Sequence, residues 1–131
     1  MLRIVFAGPD QALSLWLADA VAPAQGFEVV GTALDGESAL EMVLRTRPDV
    51  VVVDEDIVMP PLGGLTLVAA LTDAIPELVV LVLAADALQE NAQEALATGA
   101  TAVLAKDGST QIPEGFSAFD AGRSGEMREG A

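Results

Sequence analysis

Four consecutive valines, Val50 to Val53, restrict this chain more than any other stretch of its 131 residues. β-Branched side chains on both faces of an extended segment suit a strand covered on both sides, as in a parallel sheet. Pro48 and Asp49 precede the run, and three acids, Asp54, Glu55 and Asp56, follow it at once. Then Met59-Pro60-Pro61-Leu62-Gly63-Gly64 supplies loop chemistry. Open α/β sheets present their reactive groups at the C-terminal ends of such strands. A loop carrying three carboxylates directly after a buried strand is therefore the first candidate site.

The rest of the chain repeats the pattern. Leu2 to Ala7 reads as a strand broken by Gly8-Pro9. Asp10 suits an N-cap for a first helix with Leu13, Leu17, Ala20 and Val21 on one face, Trp16 at its margin and Leu15 off the stripe. Phe27 to Thr32 is a second strand. Asp35 precedes a helix over Glu37 to Thr46 with Ala39, Leu40, Val43 and Leu44 inward, and Pro48 stops it. The third strand is Asp49 to Val53. A third helix is expected over Leu65 to Ala74, a fourth strand over Leu78 to Ala84, and a fourth helix over Ala87 to Thr98. Asp86 would cap that fourth helix, Leu88, Ala92, Ala95 and Leu96 would face inward, and Gly99 would stop it. Thr101 to Ala105 is a fifth strand ending at Lys106. Five apolar strands alternating with helices imply a doubly wound α/β sandwich around a five-stranded parallel sheet. After Lys106, Ile112, Phe116 and Phe119 allow only a weak or irregular fifth helix. The folded domain is expected over 1–121, with a flexible tail or linker over 122–131.

Composition removes several classes of function. The chain has no Cys and no His, so it lacks thiol chemistry, an imidazole base and the usual zinc ligands. Twenty acids against six bases give a net charge of −14, which disfavours direct contact with nucleic acid or an anionic membrane. No apolar run reaches a membrane span or forms a signal peptide, so a cytoplasmic setting is expected. No Gly-rich phosphate loop and no nucleophile–base pair is present. A small enzyme or a flavin binder on this frame is therefore disfavoured, and a flavin-free preparation would count further against it.

Arg47 to Asp54 (RPDVVVVD), Met59 to Leu65 (MPPLGGL), Leu81 to Asp86 (LVLAAD) and Gly99 to Asp107 (GATAVLAKD) together resemble a response-regulator receiver domain over about residues 2 to 108. The resemblance implies a flavodoxin-like (βα)5 fold. It also implies a phosphoacceptor aspartate after the third strand and an acidic pair after the first strand that holds Mg²⁺. A Thr or Ser after the fourth strand, an aromatic on the fifth and a lysine after the fifth complete the family's set.

Carried over, Asp54 takes the acceptor position when counted from the strand, and Asp56 takes it when counted back from Met59; strand register favours Asp54. Two residues appear as an insertion between Val53 and Met59. Lys106 matches the lysine. Gly8 and Pro9 occupy the acidic-pair positions, Ala84 the Thr/Ser position and Val103 the aromatic one. No metal site is expected, and Asp10, Asp54 and Asp56 would hold a cation only weakly. No cofactor is expected, Mg²⁺ entering only if phosphorylation is conventional. The resulting expectation is an atypical receiver that is not an enzyme. It would act through a protein partner or a covalently linked output domain, independently of Mg²⁺-dependent phosphorylation. A homodimer would use the face of the fourth helix, fifth strand and fifth helix. The alternative is a conventional receiver phosphorylated at Asp54 that controls an output domain in transcription.

Overall fold

The structure, a computed structural model, describes residues 2–9, 27–84 and 89–105. Its strands are β1 (Leu2–Ala7), β2 (Phe27–Ala33), β3 (Val50–Asp54), β4 (Val79–Ala84) and β5 (Ala102–Ala105). The described helices are α1 (Gly36–Thr46), α2 (Gly64–Ala74) and α3 (Gln89–Thr98). All strand pairs are parallel, in the order β2-β1-β3-β4-β5. That is the flavodoxin-like order, whose switch point lies between β1 and β3. The expected first and fifth helices, with Leu15 and Trp16, and the tail over 122–131 lie outside the described residues.

The valine run does what its composition requires. All five residues of β3 are buried. Val51 and Val53 join Val5, Ala7, Val80 and Val82 on one face, against Ala39 and Val43 of α1 and Leu67, Val68 and Leu71 of α2. Val50 and Val52 join Ile4, Phe6, Leu81, Leu83 and Leu104 on the other. Each fully buried valine stabilises the fold by roughly 1.5–3 kcal/mol relative to leaving it exposed.

Helix α1 is delimited by side-chain chemistry. Asp35 caps its start, Oδ1 accepting from the Ser38 N–H at 2.8 Å. At its end Arg47 turns left-handed at φ 50°, and its N–H donates to the Val43 carbonyl at 2.8 Å. Arg3 of β1 reinforces this end, its guanidinium donating to the carbonyls of Thr46 at 2.6 Å and Arg47 at 3.0 Å. The third strand begins at Val50 rather than Asp49. Asp49 instead clasps β1: its Oδ2 accepts from the Arg3 N–H, and its own N–H donates to the Arg3 carbonyl, both at 2.8 Å.

Two inward assignments are corrected. Leu44 is 44% exposed and Leu96 47% exposed. Leu44 lies roughly 120° around the helix from the midpoint of Ala39 and Val43, and Leu96 about 100° from Ala95, at the helical 100° per residue. The buried stripe is thus narrower than the apolar pattern. Gly99 stops α3 as expected, at φ 128°, with its N–H directed at the Ala95 and Leu96 carbonyls. A Cβ there would also run into the Thr72 hydroxyl of α2, so the glycine permits the close approach of α2 to the end of α3.

Candidate functional site at the sheet edge

The ends of β1 and β3 lie side by side at the switch point, Ala7 opposite Val53. Gly8 follows β1, is buried, and donates its N–H to the Ala33 carbonyl at 2.9 Å. A Cβ on Gly8 would stand only 2.9 Å from the Asp54 Cβ and 3.6 Å from its Oδ2. The backbone of Gly8 therefore closes directly over Asp54. Pro9 is exposed. Asp10 lies outside the described residues.

Asp54 is the last residue of β3 and is 3% exposed, whereas Asp56 sits in the following turn and is exposed. The two are coupled: Asp54 Oδ1 accepts from the Asp56 N–H at 2.8 Å, and the Asp54 carbonyl accepts from the Ile57 N–H at 3.0 Å. The Glu55 N–H continues the strand ladder to the Leu83 carbonyl at 2.9 Å. This local bonding holds the Asp54 carboxylate at the buried strand end while Asp56 projects into the loop.

The long loop is tied down along its length. Ile57 is 1% exposed and anchors it in the core. Val58 forms a parallel bridge with Asp35, and its carbonyl accepts from the Gly36 N–H at 2.9 Å. The Leu62 N–H donates to Thr66 Oγ1 at 2.8 Å, and the Gly63 N–H to the Met59 carbonyl at 2.8 Å. The Pro60–Pro61 peptide is cis. Gly64 opens α2 where a Cβ would stand 2.8 Å from the Glu55 Cα, so the two ends of the loop meet.

Ala84 ends β4, is buried, and pairs in register with Ala105; Val103, half-buried in β5, pairs with Val82. Beside them a cleft of about 270 Å³ opens between α2 and α3. Its apolar lining is Leu62, Leu65, Val82, Ala84, Ala95 and Val103, and Glu55, Asp56 and Glu94 complete it. Lys106 lies outside the described residues.

The structure thus brings Gly8, Asp54 and Asp56 into one edge, with Ala84 and Val103 around the neighbouring cleft. The residue that sequence reasoning did not single out is Glu94, which lines the cleft from α3. No periodicity marks it, because its proximity to the loop acids arises across separate elements. Among the described residues no group of three or more His, Cys, Asp or Glu side chains is placed to hold a metal ion, and a side chain at Gly8 would meet Asp54.

A family model described as the response regulator receiver domain matches residues 9–112, most of the chain. The chain belongs to this family. A protein-glutamate methylesterase/protein-glutamine glutaminase of Anaeromyxobacter dehalogenans is 34% identical over 109 residues, covering 83% of this receiver and 31% of that protein. The uncharacterized transcriptional regulatory protein YhcZ of Bacillus subtilis is 31% identical over 106 residues, 81% of this receiver and 49% of that protein. The receiver spans about a quarter to a third of the methylesterase relatives' length. Among solved structures, the REC domain of the response regulator AraT from Geobacillus stearothermophilus superposes with a TM-score of 0.78 at 26% identity, covering 99% of this chain and 98% of that one. A LuxR-family response regulator from Aurantimonas sp. SI85-9A1 shares the fold, with a TM-score of 0.83 at 21% identity over 93% and 86% of the two chains.

The protein is accordingly a receiver domain of two-component signal transduction, with relatives among methylesterases and transcriptional regulators. Receiver domains of this kind are linked to output domains or partner proteins. No described helix is long and apolar enough to cross a membrane.

Proposed function

We propose that this receiver is atypical: it signals through protein–protein interaction and does not depend on Mg²⁺-dependent phosphorylation of Asp54. The observation that carries this reading is the closure of Gly8 over Asp54. Phosphoryl transfer to a carboxylate adds negative charge that a bound cation offsets. Here the neighbour on β1 has no carboxylate, and a side chain there would meet the Asp54 Cβ. Ala84, buried at the end of β4, offers no hydroxyl to a phosphoryl oxygen, and Val103 has no ring to reorient. A ligand shifts a conformational equilibrium only through contacts that differ between the states. Both side chains that would supply such contacts are absent.

In this reading Asp54 is the acceptor-equivalent residue rather than Asp56, because it ends a buried strand. Lys106 is its basic counterpart. The partner is an output domain in the same polypeptide or a separate protein, and a homodimer would use the face of α3, β5 and the segment after β5. The net charge of −14 argues for a partner with a basic surface and against direct nucleic-acid binding. The proposed setting is cytoplasmic.

The test is an amide NMR titration of the full chain with beryllofluoride and low-millimolar Mg²⁺. No saturable shifts are expected at Asp54, Glu55 or Lys106. Saturable shifts at all three would overturn the proposal and assign conventional phosphorylation at Asp54.

A further inference from the structure

We infer that Met59 is a peroxide-sensitive latch, its oxidation to the sulfoxide releasing the loop after β3 from the start of α1. The inference stands whether or not Asp54 is phosphorylated. The chain has no Cys, so methionine thioethers are the only sulfur it offers to a peroxide. At Met59 that reaction has a structural consequence. The side chain rests on the backbone of Gly36: a Cβ there would collide with the Met59 Cβ and stand 2.6 Å from its Sδ. Gly36 is buried, Met59 is half-buried, and its chain neighbours Val58, Pro60, Pro61 and Leu62 are exposed. The thioether is thus seated on packed backbone but carried by a loop open to solvent.

The latch has three parts. Gly36 is the first residue of α1 and has no intrahelical acceptor for its N–H, so the Val58 carbonyl supplies one at 2.9 Å. Asp35 and Val58 form a parallel bridge. The Met59 side chain, packed against the core, closes the contact over Gly36. Hydrogen peroxide transfers one oxygen to Sδ: a sulfur lone pair attacks, the O–O bond breaks, and the second oxygen leaves as water after proton transfer. Sulfur loses two electrons and the peroxide gains them. The product side chain is polar, and its new oxygen seeks a donor. The Gly36 N–H is already committed to Val58, so water satisfies that oxygen and draws the side chain off its seat. The disturbance lies close to the sheet edge, because the Ile57 N–H of the same loop donates to the Asp54 carbonyl at 3.0 Å.

The experiment treats the full chain with hydrogen peroxide, maps methionine sulfoxides by peptide mass spectrometry, and follows amide hydrogen exchange. Met59 sulfoxide is expected in the folded chain, with exchange at Gly36 about tenfold faster, the scale set by an unpaired polar group in an apolar contact. Methionine sulfoxide reductase with dithiothreitol should restore the original exchange, the sulfoxide oxygen leaving as water and dithiothreitol closing to its disulfide. Met59→Leu keeps an apolar side chain at the seat and should make exchange at Gly36 indifferent to peroxide, which separates Met59 from Met42 and the other methionines. Met59 left as the thioether would overturn the site. Sulfoxide at Met59 with exchange at Gly36 unchanged would overturn the latch, as would equal acceleration in Met59→Leu. The first two outcomes are read on the unsubstituted chain, so they decide the matter even if Met59→Leu fails to fold.

Discussion

Replacing Gly8 with alanine should lower stability for a reason that can be localised to one carbon atom. The added Cβ would stand 2.9 Å from the Asp54 Cβ. Carbon atoms pack comfortably at about 3.5–4.0 Å, so the strand ends must separate by roughly 0.6–1.1 Å. Asp54 Cβ is fixed by the β3 backbone, which is buried throughout and bonded to β4, so no rotamer change relieves the contact. Overpacking of this kind costs about 1–3 kcal/mol. Gly8 does not take a positive φ, so torsional strain adds nothing, and restricting the unfolded chain returns about 0.4–1 kcal/mol. The expected net loss is about 1–2 kcal/mol in urea denaturation. The cost should persist in an Asp54→Ala background, which keeps the Cβ, and disappear in an Asp54→Gly background, which removes it. Such a cycle reports a coupling equal to the overpacking cost, about 1–3 kcal/mol, between contacting residues. A loss unchanged by Asp54→Gly would refute the packing argument. The same geometry implies that Gly8→Asp alone does not rebuild a metal site, because the new carboxylate reaches the edge only by forcing β1 from β3.

Two further predictions concern the helices that position the loop. Asp35→Ala removes the cap of α1 and should cost about 1 kcal/mol, with faster hydrogen exchange at Ser38 and Ala39, while Asp35→Asn keeps most of the stability. Thr72 Oγ1 is buried on α2 with no hydrogen-bond partner among the described residues, so Thr72→Val should be neutral or stabilising by up to about 1 kcal/mol in thermal denaturation; a clear loss of stability would show that the hydroxyl is satisfied.

Much of the fold is legible along the chain because local chemistry is strong there. The unbroken valines can be satisfied only with cover on both faces, and β3 is buried over its whole length. Asp35, Pro48 and Gly99 mark helix limits through capping, a ring that blocks helical continuation and a left-handed φ, all properties of single residues. The exposure of Leu44 and Leu96 was not legible in this way. Apolar periodicity reports which residues can be buried, while helix rotation against the sheet decides which are.

The site divides along the same line. From sequence alone come the strand that ends in Asp54, the acids after it, and the small or apolar residues Gly8, Pro9, Ala84 and Val103, where the resemblance to the receiver family implies polar or aromatic groups. These depend only on residue identity and strand register. Tertiary structure alone decided that Gly8 closes onto Asp54, that the loop after β3 is bonded to Asp35 and Gly36, and that Glu55, Asp56 and Glu94 line one apolar cleft. Each of these joins residues far apart in the chain. Their approach is set by the parallel pairing of strands and the packing of helices over them, which no local pattern encodes.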